Sequence, residues 1–180
     1  MKKLLAVGIT LCGVATINNT LASQGSERDL LEIFDGVCVQ AKGDFQYFQT
    51  VVEELNGEDV SGKLKDPNME INDGGKSYLL SYQGRKFVTG FINNGGCSVA
   101  AQTGIDSPLL IKFIIENFDV DRSSRIDDTA TQTTMVFVLG ENSGLSRGGL
   151  VFVTYSKPST GWGMASLSFI DPELARQLDI

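Results

Sequence analysis

Apolar residues at Leu30, Ile33, Phe34, Val37, Cys38 and Ala41 recur every three or four positions, the spacing at which an α-helix returns one face to a core. Ser26, with Asp29 three residues on, supplies a cap at the start of this stretch, and Gly43 ends it. Asp44 then caps a second helix whose apolar face is Phe45, Phe48, Val51, Val52 and Leu55, stopped by Asn56-Gly57. These aromatic residues are read as core anchors rather than as a ligand box. Residues 58–75 are polar and rich in Gly, Asp and Asn, with Val60, Leu64, Met69 and Ile71 to pin them down. They predict a long loop with a short strand.

The pattern then changes from helical to β. Residues 77–82, 86–92 and 97–102 are β-rich runs separated by Gln83-Gly84 and Asn93-Asn94-Gly95-Gly96, which is turn chemistry. A third helix follows, with Ser107-Pro108 as cap and first-turn proline and Leu109, Leu110, Phe113, Ile114 and Phe118 as its apolar face. Residues 118–130 are read as a charged connection. Three more β runs, residues 131–139, 149–156 and 164–170, are joined by Glu141-Asn142-Ser143-Gly144 and Pro158-Ser159-Thr160-Gly161, and Asp171-Pro172 opens a short last helix through Leu178. Ile105-Asp106-Ser107-Pro108 and Ile170-Asp171-Pro172 each follow three β runs, so the two halves echo each other. The expected fold is α+β, an antiparallel sheet of about six strands in two meanders with helices packed on one face. Residues 23–180 are expected to form a single domain.

The first 22 residues differ from the rest. Lys2 and Lys3 precede an apolar run at residues 4–17, and Thr20-Leu21-Ala22 puts small side chains at the two positions a signal peptidase inspects. Residues 1–22 are therefore expected to be a cleaved bacterial secretory signal, and the mature protein to be periplasmic or secreted. Lipidation at Cys12 is disfavoured because bulky Leu11 stands where a small residue is needed. No later apolar run reaches the ~18 residues that span a bilayer, so no membrane insertion is expected after cleavage. Export leaves Cys38 and Cys97 as an even pair in an oxidising space, and a disulfide between them is expected; two buried free thiols are the alternative.

Charge and composition narrow the chemistry. The chain has 180 residues and no histidine; without Lys2 and Lys3 it carries 13 basic and 22 acidic residues, a net charge of −9. Nucleic acid and anionic membrane surfaces are disfavoured as partners, and a basic protein is favoured. The lack of histidine removes Ser-His-Asp and Cys-His arrangements and imidazole-bound zinc. Ser156-Lys157 and Lys76-Ser77 are nominal Ser-Lys pairs, but adjacent strand residues point to opposite faces. Glu53-Glu54 are read as a solvated helix face. Asp119, Asp121, Ser123, Ile126 and Asp127 imitate the first part of an EF-hand loop. However, Ser124 takes the glycine position, Ala130 takes the bidentate carboxylate position, and Arg122 and Arg125 intrude. Gly144-Leu145-Ser146-Arg147-Gly148-Gly149 has glycines and an arginine, yet it joins two strands and lacks the lysine and helix of a phosphate loop. No metal, cofactor or catalytic residue is assigned.

A Phe34…Cys38 helix is followed by a β run entering Gly96-Cys97-Ser98-Val99 and by a further helix. A final hairpin runs from Leu150-Val151-Phe152-Val153-Thr154 to Met164-Ala165-Ser166-Leu167-Ser168. In this order the chain resembles a family of small exported, in part lipid-anchored, uncharacterised proteobacterial proteins. The resemblance covers most of the mature chain and carries over no catalytic residue; the chain departs from the lipid-anchored members by lacking a lipidation motif. The expected function is that of an exported non-enzymatic binding or inhibitory protein acting on another protein. The alternative is an envelope-directed hydrolase using carboxylates or a Ser-Lys pair. A deep pocket with convergent Asp or Glu would favour the hydrolase, and a flat or ridged face at a hairpin tip would favour binding. Trp162, in the Gly161-Trp162-Gly163 tip, is the candidate contact residue.

Overall fold

A computed structural model describes residues 19–61, 75–92, 95–101, 104–157 and 165–177. Its strands are β1 (Glu58–Asp59), β2 (Lys76–Tyr82), β3 (Arg85–Ile92), β4 (Gly96–Ala101), β5 (Val120–Asp128), β6 (Gln132–Leu139), β7 (Leu150–Ser156) and β8 (Ala165–Ile170). Its helices are α1 (Asn19–Phe34), α2 (Phe45–Glu54), α3 (Ser107–Asn117) and α4 (Pro172–Gln177). The class is α+β, as expected, but the sheet is larger: eight strands in the single order β1-β2-β3-β4-β8-β7-β6-β5, with every neighbouring pair antiparallel. In place of six strands in two meanders, the one expected sheet has eight strands in a single order, its halves joined where β4 and β8 pair along their full length, from Gly96↔Ile170 to Ala101↔Ala165.

Both additional strands lie at the edges. β1 is a two-residue strip on β2, and β5 occupies the segment read as a charged connection. Apolar alternation marks a strand only where one face is buried, and eight consecutive residues of β5 are exposed. Main-chain pairing to β6 makes it a strand, with register shifts at Val120/Arg122 and Arg125/Asp127. Charged side chains and bulges suit an edge that must not recruit another chain.

The helices also begin differently from the sequence reading. Backbone hydrogen bonding already runs from Asn19, so Ser26 lies inside α1 and does not cap it. Asp106, one residue before Ser107, caps α3 by accepting from the Leu109 N–H at 3.1 Å, which keeps Pro108 in the first turn. Asp44 caps α2 as expected, accepting from Gln46 at 2.8 Å and Tyr47 at 3.3 Å.

After Phe34 the chain widens into a π-turn, Asp35–Val39, in which the Gln40 N–H donates to the Asp35 carbonyl at 2.9 Å. The wider turn buries three consecutive residues, Val37, Cys38 and Val39, where a regular helix would bring some of them out of the core. It also sets Cys38 beside Cys97, with Cα atoms 5.3 Å apart, within the range of a disulfide. Gly43 and Gly95 have φ near +80° and +86°, and a Cβ built on Gly95 would stand 3.3 Å from the Gly43 Cα. Glycine at both positions lets the helix exit and the β3–β4 turn pass closely.

One face of the sheet carries the core. Tyr78, Leu80, Phe87, Phe91, Val99, Val151, Val153, Leu167 and Phe169 alternate inward and are buried. α1 and the π-turn lie over β4, α3 packs on α1, and α2 inserts Phe48 between Phe91 and Tyr78 at ring-centroid distances of 5.1 and 5.9 Å. The opposite face is less enclosed, with small or aliphatic residues such as Val88, Ser98, Ala100, Ser166 and Ser168 half-buried.

Candidate functional site

Two helical stripes face each other where α3 crosses α1. On α1, Arg28, Leu31 and Glu32, with Asp35 opening the π-turn that continues it, are spaced by three and four residues and therefore share a face. On α3, Phe113, Glu116 and Asn117 have the same spacing, and Phe118 follows. Together they enclose a half-open cleft of about 530 Å³. Its apolar walls are set by packing: Leu31 is buried, and Phe118 meets the buried Phe34 ring edge-on at 6.2 Å. Asn117 is anchored by its side-chain amide, which donates to the Phe113 carbonyl at 2.7 Å.

The cleft has three carboxyl groups, Glu32, Asp35 and Glu116, and one cation, Arg28, whose guanidinium carbon lies 6.0 Å from the Phe113 ring centroid. That geometry is a cation–π contact. The Tyr82 hydroxyl donates to Glu32 at 3.0 Å, and Lys112 lies 3.7 Å from Glu116 on the outside of α3. Burial pushes the Asp35 carboxyl above its ordinary range, and the Gln40 amide, donating at 3.3 Å, offsets part of that rise. A cleft with a ring face and an excess of carboxyl groups can accept an organic cation. Among the described residues no serine, cysteine or lysine lines it, so they present no nucleophile of those types. Among the described residues, too, no group of three or more Asp, Glu or Cys could hold a metal ion.

Next to Arg28, Glu27 is fully buried. One of its carboxylate oxygens accepts from the Asp106 N–H, while the other, Oε2, has no hydrogen-bond partner among the described residues. Burial raises its pKa, backbone hydrogen bonds from Asp106 and from its own N–H lower it, the Asp106 charge raises it and the Arg85 charge lowers it. Asp29, also buried, pairs with Arg85 at the start of β3.

The residues singled out from sequence lie elsewhere. Cys38 and Cys97 come together as described. Trp162 and its tip fall outside the described residues, as do residues 1–18 of the expected leader. Lys76 reaches Asp59 at 3.4 Å and Lys157 reaches Asp128 at 2.7 Å, so each lysine of the nominal Ser-Lys pairs is an ion-pair partner. Hydrogen bonds from Ser61 and Lys76 lower the Asp59 pKa, and those from Lys157 and Thr133 lower that of Asp128. Arg147 pairs with Glu141 at 2.6 Å across a short 3₁₀ turn, Glu141–Ser146, that links β6 and β7.

The EF-hand imitation is extended strand rather than a loop. Residues two apart in a strand stand about 6.6 Å apart along it, so carboxylates spread from Asp119 to Asp127 cannot converge on one ion, and the register shifts at Val120/Arg122 and Arg125/Asp127 scatter them further. Asp119 instead clasps the turn after β6 with its side chain and its carbonyl. Its Oδ2 accepts from the Asn142 N–H at 2.7 Å, and its carbonyl accepts from Gly140 at 2.7 Å and from the Ser143 hydroxyl at 3.1 Å. Millimolar calcium is expected to leave the melting temperature unchanged, because binding to the folded state alone would raise it. A calcium-dependent rise abolished by Asp121→Ala would contradict this geometry.

Comparison of the chain with protein-family models, with curated proteins and with solved structures finds no match.

Proposed function

We propose that the protein is an exported, non-enzymatic binding protein whose cleft between α1 and α3 receives a lysine or arginine side chain of a basic partner protein. The observation that carries this reading is the grouping of Glu32, Asp35 and Glu116 around the Phe113 and Phe118 rings. Carboxylates attract the cationic head, and the ring faces accept both its charge and its aliphatic stem. Arg28, stacked near Phe113, occupies the place such a cation would take and would swing outward on binding. The mature charge of −9 favours encounter with a basic surface. Export is supported by the leader pattern and by the cysteine pair at disulfide spacing; no described helix is long and apolar enough to cross a membrane.

The test is capture from an envelope extract by the mature protein and by a Glu32→Gln/Asp35→Asn/Glu116→Gln variant of unchanged circular dichroism. The wild type should retain basic proteins, and the variant should bind them roughly tenfold or more weakly. Capture should also weaken as added salt shortens the Debye length from about 10 Å to 3 Å. Equal retention by both proteins at both salt levels would contradict the proposal.

A specific observation also favours the hydrolase reading: Asp35, with its raised pKa, lies on the α1 side and Glu116 on the α3 side of one cleft. Two carboxyl groups flanking a bound bond are what glycoside hydrolysis needs. Turnover of cell-wall saccharides by the wild type, abolished by Asp35→Asn, would establish that reading in place of binding.

A further inference from the structure

The buried Glu27 oxygen that has no partner among the described residues points to a ligand that the chain itself makes. We infer that the α-ammonium of Ser23, created when the leader is removed, pairs with Glu27 Oε2. The inference rests on the leader reading in the proposed function and on the cleavage site it implies. α1 begins at Asn19 and Glu27 lies inside it, one helical turn beyond Ser23 on the same face. Helical side chains lean toward the amino end, so the Glu27 carboxylate projects back over the turn that holds residue 23. In the uncut helix the Ser23 nitrogen is an interior amide whose hydrogen belongs to the carbonyl four residues earlier, that of Asn19. It carries no charge and has no donor to spare.

Hydrolysis by a processing peptidase changes both facts. Water adds across the Ala22–Ser23 amide, its hydroxyl going to the Ala22 carbonyl carbon and its hydrogen to the Ser23 nitrogen. At neutral pH that amine takes up a further proton, and the Ala22 carboxyl loses one. Asn19 leaves with the leader, so the ammonium has three donors and no helical acceptor. Glu27 meanwhile moves from the ninth residue of a helix to the fifth, near the positive end of the helix dipole, where an acid is favoured. The other charges around Glu27 leave room for this cation: Asp106 repels the carboxylate, and Arg85, which attracts it, engages Asp29. An unpaired buried carboxylate is costly, and one meeting an ammonium is not.

The test compares four exported proteins: wild type, Glu27→Gln, one with an alanine inserted between Ala22 and Ser23, and the double variant. The insertion keeps Thr20 and Ala22 at the inspected positions but displaces the new amine by one residue, about 100° around the helix. Intact mass fixes each amino terminus. The wild type should start at Ser23 and melt about 3–6 °C above both single variants, and the double variant should melt with the singles rather than losing the two effects in sum. An exported wild type starting elsewhere overturns the inference together with the cleavage site. A terminus at Ser23 with Glu27→Gln melting at or above the wild type overturns the pairing alone, since replacing an unpaired buried carboxylate by a neutral amide relieves desolvation.

Discussion

Removing the Cys38–Cys97 bridge by Cys97→Ser should lower the melting temperature of the mature protein by about 8–16 °C. The bridge closes 59 residues of chain, and restricting the unfolded state over such a loop contributes about 4 kcal/mol. For a domain of this size each kcal/mol corresponds to about 2–4 °C. The bridge ties the π-turn after α1 to β4, so its loss frees the helix that forms one wall of the cleft. Differential scanning calorimetry of both proteins measures the shift, and alkylation of unreduced exported protein counts its thiols. Two alkylatable thiols, or a Cys97→Ser protein that melts like the wild type, would contradict the expected stabilisation.

Phe48→Ala should cost about 3–5 kcal/mol, because it removes a large ring and leaves a cavity that its neighbours fill only in part. Phe48 is fully buried and contacts Phe45, Phe91 and Tyr78 at centroid distances of 6.1, 5.1 and 5.9 Å. Tyr47 beside it is 41% exposed, and Tyr47→Ala should change stability by no more than about 0.5 kcal/mol. Urea unfolding reports both as changes in midpoint at constant slope. Equal losses for the two substitutions would show that α2 does not anchor this end of the sheet.

Phe48 and the cysteine pair are legible in the sequence alone. Phe48 belongs to a stripe spaced by three and four residues, and the cysteines are the pair that lies beyond the expected leader. Most β runs are legible for a related reason: burial on one face imposes alternation on residues such as Val99, Leu167 and Phe169. β5 is not, because an exposed edge strand needs no alternation and its charges read as a loop. The joining of the halves through β4 and β8 is a long-range pairing that no local pattern encodes. Helix starts shift by a residue at Asp106 and by most of two turns at Ser26, since a backbone already helical upstream overrides a serviceable cap.

The cleft is hidden for another reason. Arg28, Glu32 and Asp35 form a polar stripe beside the apolar one on α1, and such a stripe ordinarily faces water. What makes it a site is the approach of Phe113 and Phe118 from the α3 segment, some eighty residues later. One local signal is present: Asp35-Gly36 interrupts the helical pattern where the π-turn forms, and π-turns are frequent at functional sites. Glu27 gives no signal at all, because its burial depends on the packing around it rather than on its sequence neighbours.

The claim that the α1–α3 cleft receives cationic side chains is tested most directly by nuclear magnetic resonance titration of the isotope-labelled mature protein with a short oligoarginine peptide, and with oligoglutamate as control. Oligoarginine is predicted to shift the signals of Glu32, Asp35, Phe113 and Glu116 saturably, with the shifts diminished in Glu32→Gln/Asp35→Asn/Glu116→Gln and absent with oligoglutamate. Shifts scattered over the acidic surface at β5 and elsewhere, with the cleft signals unmoved, would contradict it.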